Sequence, residues 1–191
     1  MISAKGMSAG SAWSNLFAKL NGVWHEKSVW IYGFIVIMHW VEHLTQAYQI
    51  FIMGWARPDS RGFLGLYYPW LIKSEVLHWG YAVFMLAGLV ALRPAFYGRA
   101  RTWWNISLAI QTWHLFEHSL LQWQAISGSN FFGSAVPTSI LQLWIPRVEL
   151  HLIYNAIVFI PMIIAMYSHR YPPVSELQNH TPSCGCAAKA K

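Results

Sequence analysis

Apolar residues fall into four long stretches, at about 28–54, 70–93, 102–126 and 146–168, and each carries a few polar residues at helical spacing. An α-helix rises 1.5 Å per residue and the hydrocarbon core of a bilayer is ~30 Å thick, so about 20 residues suffice to cross it. Each stretch meets that length. Pro58, Gly62, Gly65 and Pro69 divide the first from the second; Pro94, Gly98, Arg99 and Arg101 divide the second from the third; a segment rich in Gly and Ser, 127–144, divides the third from the fourth. The pattern predicts an all-α polytopic membrane protein, a four-transmembrane-helix bundle built from two tandem helix pairs.

The predicted organisation is an N-terminal segment (1–27), a first helix pair (28–93), a short loop (94–101), a second helix pair (102–168) and a tail (169–191). Within the N-terminal segment Trp13, Leu16, Phe17, Leu20 and Trp24 recur on one helical face, as in a helix lying in a membrane interface. The tail after Arg170 contains Pro172, Pro173 and Pro182 and no apolar period, so it is predicted to be disordered. The first apolar run is not followed by a small-residue cleavage site, and it is expected to remain as a span.

Composition agrees with a membrane protein. Only 10% of residues are charged and 55% are apolar, against roughly 25% charged in soluble domains. Lys5, Lys19, Lys27, Arg93, Arg99, Arg101, Arg170, Lys189 and Lys191 lie on one side of the predicted topology, and Arg57, Arg61, Lys73 and Arg147 on the other. Positive loops stay cytoplasmic, so both termini are expected there. The net charge of +6 follows from this bias, and no basic surface with interleaved aromatics points to nucleic acid.

The candidate chemistry is carried by a string that occurs twice, 75 positions apart: His39-Trp-Val-Glu42-His43 and His114-Leu-Phe-Glu117-His118. After each, a second apolar stretch opens with an acid and a histidine, Glu75 with His78 and Glu149 with His151. Ionisable groups at membrane depth cost roughly 2.5–3.5 kcal/mol each on insertion scales, so they face the bundle interior and serve a function there. Counted along the helices, His43 and His78 both lie roughly 14 Å from the outer loop, and His118 and His151 match them, which places one ligand layer in the outward half of the membrane.

Residues three and four apart share a helix face. His39, Glu42 and His43 therefore point together, as do His114, Glu117 and His118, and as do Glu75 and His78. The expected ligands are His39, Glu42, His43, Glu75, His78, His114, Glu117, His118 and His151, around a centre of two metal ions with iron preferred over zinc, manganese or copper. Glu149 reads instead as a first-turn acid favoured by the helix dipole. Gln49 matches Gln124 at the same interval, and Tyr81 and Tyr154 each follow a histidine by three residues, so these four are expected beside a bound cofactor.

A dinuclear iron centre would make the chain an oxygen-dependent oxidoreductase acting on an apolar substrate from lipid, with electrons supplied by a partner protein. The alternatives are a haem- or chlorophyll-type tetrapyrrole held by axial histidines, and a proton or metal-ion path. The stretches 30–37 and 83–92 are almost wholly apolar, which counts against a continuous path. Cys184-Gly-Cys186, with His180 upstream, reads as a pair of reduced thiols in the tail, able to pick up a soft metal.

Overall fold

The computed structural model describes residues 9–179 and Cys184. Helices α1 (Ala9–Leu20), α2 (His25–Phe51), α3 (Leu64–Tyr67), α4 (Pro69–Lys73), α5 (Glu75–Leu92), α6 (Gly98–Ser127), α7 (Arg147–Arg170) and α8 (Val174–Asn179) follow one another, and no strand occurs among the described residues. The all-α prediction holds. Two segments, Glu75–Ala95 and Arg147–Arg170, are long and apolar enough to cross a membrane.

The long helices form two tiers. In the lower one Val29, Tyr32 and Val36 of α2, Met85, Leu89 and Leu92 of α5, Ala100 and Trp104 of α6, and Val158, Met162 and Ala165 of α7 make a closed apolar core. Side chains tie the helices together by donating to backbone carbonyls: Tyr32 Oη to Met85, Trp104 Nε1 to Leu89 and Ser107 Oγ to Val158, at 2.8, 2.7 and 2.8 Å. The Val158 carbonyl belongs to the turn before Pro161, whose missing N–H loosens the helix there.

The upper tier is polar. There α2 buries His43, Gln46 and Gln49, and α6 buries Gln111, His114, Glu117, His118 and Gln124. The outward faces of these same helices carry Trp30, Ile31, Phe34, Met38 and Leu44, and Trp113, Phe116, Trp123 and Ile126. In the upper tier α2 and α6 are thus polar toward their neighbours, while outward they are apolar.

Three expectations need correction. The second apolar stretch is not one helix from 70: Ser74 is extended (φ −86°, ψ 105°) and caps a new helix, its Oγ accepting from Leu77 N. His78 consequently lies in the first turn of α5, nearer its loop than expected, whereas His43 and His118 remain eight and nine residues from the ends of α2 and α6. The tail is helical again at Val174–Asn179, because Pro172 and Pro173 start a turn and Glu176 accepts from Arg99 N at 3.1 Å. Cys184 is disulfide-bonded and buried, with Sγ 3.0 Å from His169 Nε2, so the described sulfur is not a reduced thiol; Cys186 and His180 lie outside the described residues.

The loop after α2 presses on the helix it leaves. Gly62 has φ +72°, and a Cβ there would collide with the carboxylate of Glu42. Gly62→Ala is therefore expected to destabilise the protein by more than about 1 kcal/mol, seen as a lower melting temperature in detergent. An unchanged melting temperature would mean that the loop does not pack on Glu42.

Candidate metal centre

Six histidines converge in the upper tier. His39 and His43 bring their Nε2 atoms within 3.1 Å of each other, and His114 and His118 do the same at 3.1 Å. His151 of α7 links the two pairs, with ring centroids 5.1 Å from His43, 5.8 Å from His114 and 5.2 Å from His118. His78 stacks over His118 at 6.2 Å. His114, His118 and His151 are all buried, and one ring nitrogen from each lies within 4.8 Å of the other two. These three could hold a metal ion.

Their tautomers are set by neighbours. Gln111 donates from Nε2 to the Ala82 carbonyl (3.1 Å), which turns its Oε1 toward His114 Nδ1 at 3.3 Å. His151 Nδ1 donates to the Arg147 carbonyl at 2.7 Å, His78 Nδ1 to the Ser74 carbonyl at 2.9 Å, and His43 Nδ1 to Gln46 Oε1 at 2.8 Å. Oxygen acceptors of this kind require the proton on Nδ1, and Nε2 is left with its lone pair. A metal-binding imidazole is held in this way, with the second nitrogen donating to an outer oxygen. Nε2 of His151 and Nδ1 of His118 are buried with no hydrogen-bond partner. Leaving such an atom unsatisfied costs about 1–3 kcal/mol, a cost that a cation bound at His151 Nε2 removes.

The geometry suits a cation of the first transition row. Two nitrogens 3.1 Å apart, each about 2.0–2.1 Å from a shared ion, subtend roughly 100° there, close to a tetrahedral angle. Beside the triad is a cavity of about 10 Å³, bounded by His114, His118, His151, Glu117, Gln142 and Tyr154. That is room for about one water-sized occupant.

The carboxylates are placed differently from the expectation. Glu42 Oε1 accepts from Gly65 N at 3.1 Å, and Glu117 Oε1 accepts from Leu141 N at 2.8 Å while its Oε2 accepts from Tyr154 Oη at 2.8 Å. Glu75 is held by both terminal nitrogens of Arg147, at 2.5 and 2.6 Å. None of the three joins a histidine group with metal-ligand spacing. The physical reason is supply: loops folding over the bundle bring buried N–H groups and a guanidinium that need acceptors, and these carboxylates provide them. Glu149, read as a first-turn acid, is in the first turn of α7 and pairs with Arg57 at 2.5 Å.

Gln49 and Gln124 also serve the loops. Gln49 donates to Gly62 O and accepts from Gly62 N, at 3.1 and 2.9 Å. Gln124 donates to Thr138 O at 2.9 Å and accepts from Thr138 N and Phe131 N at 3.1 and 2.9 Å. Tyr81 stacks on His39 and Tyr154 on His114, with centroids 3.8 and 4.3 Å apart. The tyrosines thus pack on the histidine rings, and the glutamines hydrogen-bond to the loops.

Sequence reasoning overlooked Gln46, Gln111 and Gln142. The first two stand three residues from His43 and His114, a helical spacing that could have identified them. Gln142 lies in a loop and carries no such signal.

Glu117 is engaged by Leu141 N and Tyr154 Oη, so Glu117→Gln is expected to keep most of any bound metal, with affinity lowered by roughly 10–100-fold as for other outer hydrogen-bond partners. Isothermal titration with Zn²⁺ would measure this. Complete loss of binding would return Glu117 to the ligand set. Comparison with family models, with curated proteins and with solved structures finds no match to this chain.

Proposed function

We propose that this chain is an integral membrane protein whose four long helices all cross the bilayer and enclose a histidine-ligated transition-metal centre. The observation that carries the reading is the inverted polarity of α2 and α6: buried His, Gln and Glu inside, large apolar side chains outside. A helix of that kind is unsuited to water and suited to lipid around a functional interior. It also explains why these two helices fall below a simple apolarity threshold that α5 and α7 pass.

On this reading His114, His118 and His151 bind the principal ion. His39 and His43, with Nε2 atoms 3.1 Å apart, would offer two nitrogens to a second ion adjacent to the first. Both termini are cytoplasmic and the centre lies near the outer surface, following the Lys and Arg asymmetry. The two strings arose as a tandem duplication, supported by the repeated roles of Glu42 and Glu117 and of Gln49 and Gln124 on the loops. An all-imidazole set suits zinc, copper or iron. With the carboxylates engaged elsewhere, the case for two iron ions loses its distinctive support, and zinc or copper becomes the preferred occupant.

If the occupant is redox-active, electron exchange with a partner protein is the activity open to the site. X-ray absorption spectroscopy on metal-loaded protein tests the coordination. Nitrogen at about 2.0–2.1 Å with imidazole scattering is the predicted shell. A carboxylate-dominated shell, or a haem spectrum, would overturn the reading.

A further inference from the structure

Between the loops and the histidines is a second, larger cavity of about 750 Å³. His43, His78 and His151 form part of its wall, and Arg57, Arg61 and Arg147 stand in it against one carboxylate, Glu75. Glu149, the partner of Arg57, still leaves the cations in excess. Two residues, His151 and Gln142, line both this vestibule and the small cavity beside the triad.

Gln142 is oriented there. Its Oε1 accepts from Ser139 N at 3.0 Å, so its Nε2 points the other way, where it is buried with no acceptor. A donor in that position needs an electron-rich neighbour. The centre itself needs a negative one. Neutral imidazoles around a divalent ion leave its charge uncompensated in a buried site, which is costly, and Glu42, Glu75 and Glu117 are all committed to other partners.

We propose that the metal centre completes its coordination with a small exogenous anion that enters through the arginine-lined vestibule and accepts a hydrogen bond from Gln142 Nε2. This rests on the metal reading above. The ligand class is a narrow monoanion such as hydroxide or azide, whose inner end takes the water-sized space beside the triad while the rest extends toward the vestibule. Arg61, which makes no ion pair among the described residues, attracts the anion at the mouth, and Gln142 positions it on the metal.

The test uses the full chain in detergent, loaded with Co²⁺ so that visible bands report the coordination, and titrated with sodium azide. Azide is expected to shift the bands of the wild type. Gln142→Leu should weaken azide about tenfold, as for loss of a hydrogen bond to a charged group, with Co²⁺ still bound. Gln142→Glu should retain Co²⁺ and exclude azide, because its carboxylate occupies the anion's place; this second variant keeps the test decisive if the leucine variant misfolds. Co²⁺ bands that ignore azide, or equal azide affinity in wild type and Gln142→Leu, would overturn the inference while leaving the metal reading intact. Absence of Co²⁺ binding would overturn both.

Discussion

His118→Ala is expected to lower the affinity for Zn²⁺ by at least a hundredfold. Apparent binding free energies of about 10–16 kcal/mol for four-ligand structural zinc sites imply roughly 3 kcal/mol per ligand, and each 1.4 kcal/mol is tenfold. His118 has a second claim to this effect. It also contacts three other histidine rings: His114 through the 3.1 Å nitrogen contact, His151 at 5.2 Å and His78 at 6.2 Å. Competition with a chromophoric chelator would measure the loss in wild type and variant. Under the proposed arrangement His114→Ala and His151→Ala behave alike, whereas His39→Ala has a smaller effect on the tightest-bound ion. Equal affinity in wild type and His118→Ala would remove the triad as the site.

Glu75→Ala is expected to destabilise the fold by about 3 kcal/mol, the lower end of the range for breaking a buried ion pair by removing one partner. The lower end applies because the pair is only partly enclosed: the side chain of Glu75 is 12% exposed and that of Arg147 is 37% exposed. The two-nitrogen geometry joins the first turn of α5 to the first turn of α7, at the level of His78 and His151. Loss of one partner leaves the other charge uncompensated next to the histidines.

For a chain of this size the change corresponds to roughly 6–12 °C in melting temperature. The double variant Glu75→Ala with Arg147→Ala should recover part of the loss, since neither charge is then orphaned, and it should still bind metal. Additive losses in the two single variants would show that the residues act independently. Loss of metal in the double variant would identify Glu75 as a ligand after all.

How far the sequence was informative differs from residue to residue. His39, His43, His114, His118 and His151 were placed together from helical spacing and from the assumption that polar residues in apolar helices face inward, and they lie together in the upper tier. The carboxylates were assigned to the same point by the same rule, and there the rule stops short. Spacing gives the face of a helix, but a glutamate side chain can reach along that face to a loop several residues away. The loops at Gly62–Gly65 and Thr138–Leu141 are long-range contacts that no local pattern encodes.

A signal was nevertheless present. Glu42 precedes Gln49 by seven residues and Glu117 precedes Gln124 by seven, two helical turns, which marks a ladder of acceptors on one face. The break at Ser74 is similar. Pro69 divides the first apolar stretch from the second and opens α4, but the N-cap that defines α5 is five residues later, where Ser74 Oγ meets Leu77 N and its carbonyl meets His78 Nδ1.

The proposed metal centre rests on the buried histidines of this bundle. Elemental mass spectrometry on detergent-purified wild type and on a triple variant with His114, His118 and His151 all changed to Ala tests it most directly. At least one transition-metal ion per wild-type chain is expected, with loss of that ion from the variant. Metal-free wild type after expression in metal-replete medium, or the same metal content in both proteins, would contradict it.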